Sequence, residues 1–157
     1  MDRTIEELIQ DLNDPDEFTV EEASGLLEMN ADEAIDPLIS ALSSRKKNIR
    51  INAAKILGLI NDPKAINPLI TTLRDNNKLA RREASTALSR FGEPAVLPLI
   101  EVLNDEDWRV RGAAAWALGN LDDERAIEPL EKLLDDESGF VKSGAKNAIA
   151  NIKRSLE

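Results

Sequence analysis

Ala34-Ile35-Asp36-Pro37-Leu38, Ala65-Ile66-Asn67-Pro68-Leu69, Ala95-Val96-Leu97-Pro98-Leu99 and Ala126-Ile127-Glu128-Pro129-Leu130 restate one phrase, their prolines 31, 30 and 31 residues apart. A second phrase follows about fifteen residues later with the same period. It is clearest as Val110-Arg111-Gly112-Ala113-Ala114-Ala115-Trp116-Ala117-Leu118-Gly119. Self-similarity at such a period marks stacked supersecondary units, each too small to bury its own apolar face. One repeat therefore predicts the architecture of the whole chain.

Each unit reads as two antiparallel helices. The first takes its apolar stripe from positions such as Ile66, Leu69, Ile70 and Leu73, a 3.6-residue period. Asp32, Asp62, Gly92 and Asp123 precede it as cap or turn residues. The repeated proline is expected in the first turn, where a missing N–H costs little. The second helix is apolar at Val110, Ala114, Ala117, Leu118 and Leu121, and equivalently at Ile49, Ala53, Ile56, Leu57 and Ile60. Gly58 and Gly119, near its end, read as points where the helix loosens into the turn. The helices are predicted over 4–13 and 16–29, 33–43 and 46–60, 63–74 and 77–91, 94–104 and 107–121, and 124–135 and 138–154. Residues 1–31, which lack the proline phrase, read as a degenerate capping repeat, followed by units 32–62, 63–92, 93–123 and 124–157. The expected fold is all-α, a right-handed solenoid of five helix pairs forming one domain.

Composition narrows the chemistry. The 157 residues contain no cysteine, histidine or tyrosine. Disulfides, thiolate chemistry, the usual general base and the commonest metal ligand are thereby excluded. Ser85, Ser143 and Thr86 have no base to activate them, and the Asp105-Glu106-Asp107 run reads as a turn and cap more readily than as a site for a hard cation. No glycine-rich phosphate loop is present. We expect no catalytic residues, no metal and no cofactor. No apolar run approaches the roughly 20 residues that span a bilayer, and no signal-peptide pattern opens the chain. A cytoplasmic protein with no membrane partner is the expectation.

The net charge of −10 is unevenly placed. Residues 1–36 hold 13 acids against Arg3 alone, whereas Arg45 to Arg90 is dominated by bases. A solvated surface accounts for this, and so does a basic stripe offered to an acidic partner. A further regularity pairs a turn carboxylate with a second-helix cation six residues on: Asp75 with Arg81, Asp105 with Arg111, Asp136 with Lys142. It predicts a hydrogen-bonded ladder along the turns.

These phrases resemble the HEAT-like repeats of the phycobilisome-lyase type, which read approximately D-x-x-A-(V/I)-x-P-L and then D-x-x-x-x-V-R-x-x-A-A-x-A-L-G. The likeness covers residues 32–153 and, more faintly, 1–31. Ala80 to Ile152 also resembles small all-helical HEAT-like proteins of methanogenic archaea. Such repeats serve lyase subunits, hydroxylases, DNA glycosylases and adaptors alike. The di-iron hydroxylases of this type bind metal through His-Glu motifs, which a chain without histidine lacks.

The resemblance implies that the second helices line the concave side. Carried over unit by unit, the groove-lining positions are Ile51, Asn52, Lys55 and Leu59, then Arg82, Glu83, Thr86 and Arg90. The fourth unit offers Trp108, Arg109, Gly112, Ala113, Trp116 and Asn120, and the fifth Phe140, Ser143, Gly144, Asn147 and Asn151. Both tryptophans and one of three phenylalanines fall on this surface, beside glycines expected to leave a hollow. Aromatic anchors at hollows with arginines at the rim are the makings of a binding hot spot; packing of the tryptophans across adjacent helices is the alternative. The expected function is a non-enzymatic scaffold for another protein presenting an acidic and apolar segment. A lyase-like or tetrapyrrole-carrying subunit is the alternative, and a nucleic-acid binder the weaker one, since a pI near 4.6 opposes phosphate binding. The oligomeric state is open, with a monomer favoured.

Overall fold

The computed structural model describes residues 2–157. Among them are ten α-helices and five 3-10 segments, and no strand. The α-helices are α1 (Ile5–Asp11), α2 (Glu17–Met29), α3 (Ala31–Ala41), α4 (Lys47–Ile60), α5 (Ile66–Thr72), α6 (Lys78–Ser89), α7 (Val96–Glu101), α8 (Trp108–Gly119), α9 (Ile127–Glu131) and α10 (Gly139–Ser155). Each odd-numbered helix packs on the even-numbered one that follows, and successive pairs stack into an all-helical solenoid. The even helices α2, α4, α6, α8 and α10 contact one another in turn and form a continuous layer. The odd helices touch their neighbours less.

The repeated alanines explain how the layers approach. Ala53, Ala84, Ala114 and Ala145 are all fully buried, as are the flanking Leu57, Leu88 and Leu118. Small side chains bring helix axes close, and the leucines fill the seam between them. Gly58 and Gly119 belong to the same device, which corrects their reading as loosened turns. A Cβ at Gly58 would lie 2.7 Å from Ala87 Cβ and 2.8 Å from its Cα; one at Gly119 would meet Ala148 at 2.8 and 2.9 Å. These glycines let α4 pack on α6 and α8 on α10. Ser89 takes the glycine position in α6, and the contact of α6 with α8 is correspondingly looser. There Ser85 Oγ, buried, donates to the Ala113 carbonyl at 3.1 Å.

Helix starts follow their caps. Asp62 and Asp123 accept from backbone amides two residues on, as expected. Each is followed by a single 3-10 turn (Pro63–Ala65, Glu124–Ala126), as is Gly92 by Glu93–Ala95. Gly92 sits at φ 73°, ψ −142°, a region only glycine enters without strain. Pro68, Pro98 and Pro129 then occupy the third position of α5, α7 and α9, in the first turn as predicted. The second unit differs. There α3 runs out of α2 through Asn30 alone, so Pro37 is its seventh residue and Asp32 lies inside its first turn instead of capping it.

The turn ladder exists, but its carboxylate bonds run between units. Arg50 Nε donates to Asp75 at 2.7 Å and Arg111 Nε to Asp136 at 2.8 Å, each 25 residues on. Within the unit Arg50, Arg81 and Arg111 reach the backbone oxygens of Ser44, Asp75 and Asp105 at 2.8–2.9 Å, whereas Lys142 makes no ion pair with Asp136. Asp105 is instead held by Arg74, from the turn that follows α5. Each aspartate also accepts the amide two residues on, at 2.8–2.9 Å. One side chain thus fixes the turn and the stacking of the next unit. Bidentate, largely buried guanidinium–carboxylate contacts make such a joint directional.

Candidate functional site

The strongest exposed apolar feature lies on α8 and the start of α10. Asp107 caps α8 by accepting the Arg109 amide at 2.9 Å, which makes Trp108 the first helical residue. Trp108, Gly112, Trp116 and Asn120 then follow at four-residue spacing, one stripe along the helix face. Ser138 caps α10 and sets Phe140 in its first turn. The Phe140 ring meets Trp108 edge to face, centroids 5.6 Å apart and planes at 78°, a favourable aromatic geometry.

The hollow expected at Gly112 is occupied. A Cβ there would stand 2.5 Å from Phe140 Cε1, so the ring lies directly on the glycine backbone. Gly144 differs, with open space where its Cβ would project. Trp108 and Trp116 are 48% and 49% exposed and Phe140 63%. The tryptophans therefore rest on the layer with one part and face solvent with the other, and it is Phe140, not Trp116, that partners Trp108. Leu59 and Leu79, 42% and 51% exposed, extend the apolar ground across α4 and α6. Leu79 was missed in the sequence; its register, shared with Arg109 and Phe140, was the available signal.

The polar candidates divide into free and committed groups. Lys55, Arg82, Arg90, Asn120 and Asn147 are exposed, and Ile51, Glu83 and Thr86 are half-buried. No ion pair among the described residues uses Lys55, Arg82 or Arg90. Asn52 is committed inward: its Nδ2 donates to the Leu12 carbonyl and to that of Asn48, both at 3.0 Å. It closes the end of α1 instead of facing a partner. Arg109 folds back on Asp107 at 3.0–3.2 Å, and this contact holds the Asp107 carboxyl below the usual carboxylate range. Asn120 Nδ2 donates to the Trp116 carbonyl at 2.9 Å.

Charge divides the helices, with α2, which carries four glutamates and no base, set apart from the rest of its layer. Helices α4, α6, α8 and α10 carry twelve lysines and arginines against Glu83 alone. On α1, α3, α5, α7 and α9 with their adjoining 3-10 segments, acids outnumber bases twelve to three. Arg50 and Arg111 serve the ladder, but most of the remaining cations are exposed. Asp105 and Asp107 serve as turn and cap, and no group of three potential metal ligands occurs among the described residues. No helix is long and apolar enough to cross a membrane.

The sequence matches the HEAT-repeat family over residues 5–84 and again over 66–150. No curated protein matches it in sequence. Among solved structures, the chain is similar to the complex of CpcE and CpcF of phycocyanin lyase from Nostoc sp. PCC7120, with a TM-score of 0.68 and 21% identity over 92% of this chain and 96% of that one. A designed armadillo-repeat protein in complex with the peptide (KR)4 is similar at a TM-score of 0.51 and 24% identity, covering 95% and 82%. An engineered protein matches at 0.50 and 24%, covering 96% and 81%. At these identities the likenesses speak for the fold alone.

Proposed function

The chain belongs to the HEAT-repeat family, and from that premise we propose that it is a non-enzymatic scaffold whose helices α4, α6, α8 and α10 hold an acidic, apolar-bearing segment of another protein. The observation that carries this reading is that α4, α6, α8 and α10 combine near-exclusive positive charge with half-exposed Trp108, Trp116 and Phe140, while α2 at the end of the layer is acidic. Large aromatic surfaces left open on the same layer as unpaired arginines are what a partner-binding face presents. Charge of one sign steers an opposite partner to the layer and disfavours a like-charged one. The tighter packing among even helices is what a superhelix curved toward that layer requires, which supports placing the binding face on the concave side. The residues assigned to contact are Lys55, Arg82, Thr86, Arg90, Trp108, Trp116, Phe140 and Asn147, with Ile51, Glu83, Gly112 and Asn120 shaping the floor.

Selection from a library of displayed random peptides on the immobilised chain tests this. Enriched peptides should combine Asp or Glu with Leu, Ile or Phe, and should be lost on Trp116→Ala or on Arg82→Glu with Arg90→Glu. Enrichment of basic peptides, or capture indifferent to these substitutions, would refute the assignment.

A further inference from the structure

Two faces of the molecule repeat the two halves of one internal junction. Where α8 meets α10, three contacts stand in fixed register. Arg111 grips the Asp136 carboxylate at 2.8 and 3.0 Å, Phe140 lies on Gly112, and Ala148 closes on Gly119. The half contributed by α10 reappears near residue 14. Asp14, Asp16 and Phe18 have the spacing of Asp136, Ser138 and Phe140. Asp14 accepts the Asp16 amide at 2.8 Å, as Asp136 accepts that of Ser138 at 2.9 Å. Asp16 and Ser138 both cap the helix that follows. Yet Phe18 is 71% exposed, and no ion pair among the described residues reaches Asp14.

The half contributed by α8 reappears 31 residues on, along α10. Lys142, Ser143 and Ala150 hold the register of Arg111, Gly112 and Gly119, and all three are exposed. Charge follows the same division. Helix α2 exposes Glu17, Glu21, Glu22 and Glu28 and has no base, whereas α10 exposes Lys142, Lys146, Lys153 and Arg154 and has no acid. On the α2 face Arg3 pairs with Glu22, and among the described residues no ion pair or stacked ring reaches Asp14, Phe18, Lys142 or Ser143.

We infer that a second copy of this chain docks head to tail, α2 of one copy on α10 of the other, repeating the α8–α10 junction between molecules. Lys142 then meets Asp14 of the neighbouring copy as Arg111 meets Asp136, and Phe18 lies over Ser143. The docked joint is weaker than its internal template for reasons visible in the side chains. Ser143 carries a Cβ where Gly112 has none, and a Cβ at Gly112 would already stand 2.5 Å from the ring, so Phe18 rides higher. Leu26 replaces Ala148, and a lysine replaces the forked guanidinium. Exposed opposite charges supply much of the attraction, and salt screens them. A contact between two different faces also leaves one of each free, so it grows into open chains instead of stopping at a closed dimer.

Sedimentation velocity of the 157-residue chain over a range of concentrations is the test. At low salt the mean sedimentation coefficient should rise with concentration, and at about 0.5 M salt, where the screening length falls to a few ångströms, it should return to the monomer value. Phe18→Lys and Lys142→Glu each remove one half of the joint at an exposed position, so each alone should stay monomeric. Mixed, the two variants should regain a one-to-one dimer, since each still offers the face that the other lacks. A parent chain that is monomeric at every concentration in low salt overturns the proposal and leaves these faces to a different protein. So does self-association that both variants retain, or a mixture that stays monomeric.

Discussion

Replacing Gly119 by valine should destabilise the solenoid, whereas replacing Gly112 by alanine should not, although both glycines face α10. At Gly119 the new Cβ would lie 2.8 Å from Ala148 Cα and 2.9 Å from its Cβ. Carbon contacts settle at about 3.5–4.0 Å, so the helices must part by roughly an ångström, and the atom in the way is backbone. Overpacking of this kind costs about 1–3 kcal/mol, and the two further methyl groups of valine enter the same seam. Leaving glycine in a helix returns only a few tenths of a kcal/mol when the replacement is β-branched. The net loss is about 2 kcal/mol, or roughly 4–8 °C in Tm for a chain of this size. At Gly112 the obstruction is the Phe140 ring, 2.5 Å away but 63% exposed. It can swing into solvent, forfeiting an edge-to-face contact worth about 0.5–1.5 kcal/mol against a helix-propensity gain of about 1 kcal/mol. Thermal unfolding followed by circular dichroism separates the two cases. A Gly119→Val variant melting with the parent, or a Gly112→Ala variant as damaged as Gly119→Val, would refute the account of the even-helix layer.

Ala114→Asp should largely abolish folding, since Ala114 is fully buried and an unpaired carboxylate there costs several kcal/mol, on the order of 3–5; Asn120→Asp, at an exposed site, should melt within about 2 °C of the parent. Acid should destabilise the parent. The Asp136 carboxyl is held below its usual range chiefly by the Arg111 side chain, and those of Asp107 and Asp123 by Arg109 and Arg125. With folded pKa values below the unfolded value of about 3.9, their contribution is full above roughly pH 5 and is lost as pH falls through the folded values. Asp136→Asn should therefore cost stability at pH 7, and the gap from the parent should narrow toward pH 3 in denaturant titrations; a gap independent of pH would contradict the ladder.

The proline phrase and the alanine-rich second phrase made the helix pairs legible, because both are local and recur. What the sequence hid was contact between units. Gly58 and Gly119 look like helix-end glycines in one dimension, and only the stacking shows them facing Ala87 and Ala148. Arg111 has a carboxylate six residues before it and another 25 after; the first supplies its backbone oxygen and the second its side chain. Spacing alone favours the nearer partner. Gly112 read as a hollow because the register of Phe140 on the next helix was not used, and Asn52 read as a groove residue because its acceptor on Leu12 lies 40 residues away. Pro37 sits deep in α3 because Asn30 joins two helices without a turn, a continuity that no proline period announces. The surface distribution of charge, by contrast, was present in the sequence once the helices were sorted into layers.

As proposed, α4, α6, α8 and α10 form the binding face. Two tryptophans give two indole N–H signals, one at the start and one near the end of α8. Heteronuclear NMR of the ¹⁵N-labelled chain, titrated with a selected acidic, apolar-bearing peptide, reads that face directly. Both indole signals and the amides around Arg82, Arg90 and Phe140 should shift together and saturably, with the effect weakened by salt. Shifts confined to α3, α5, α7 and α9, with both indoles unmoved, would contradict the account.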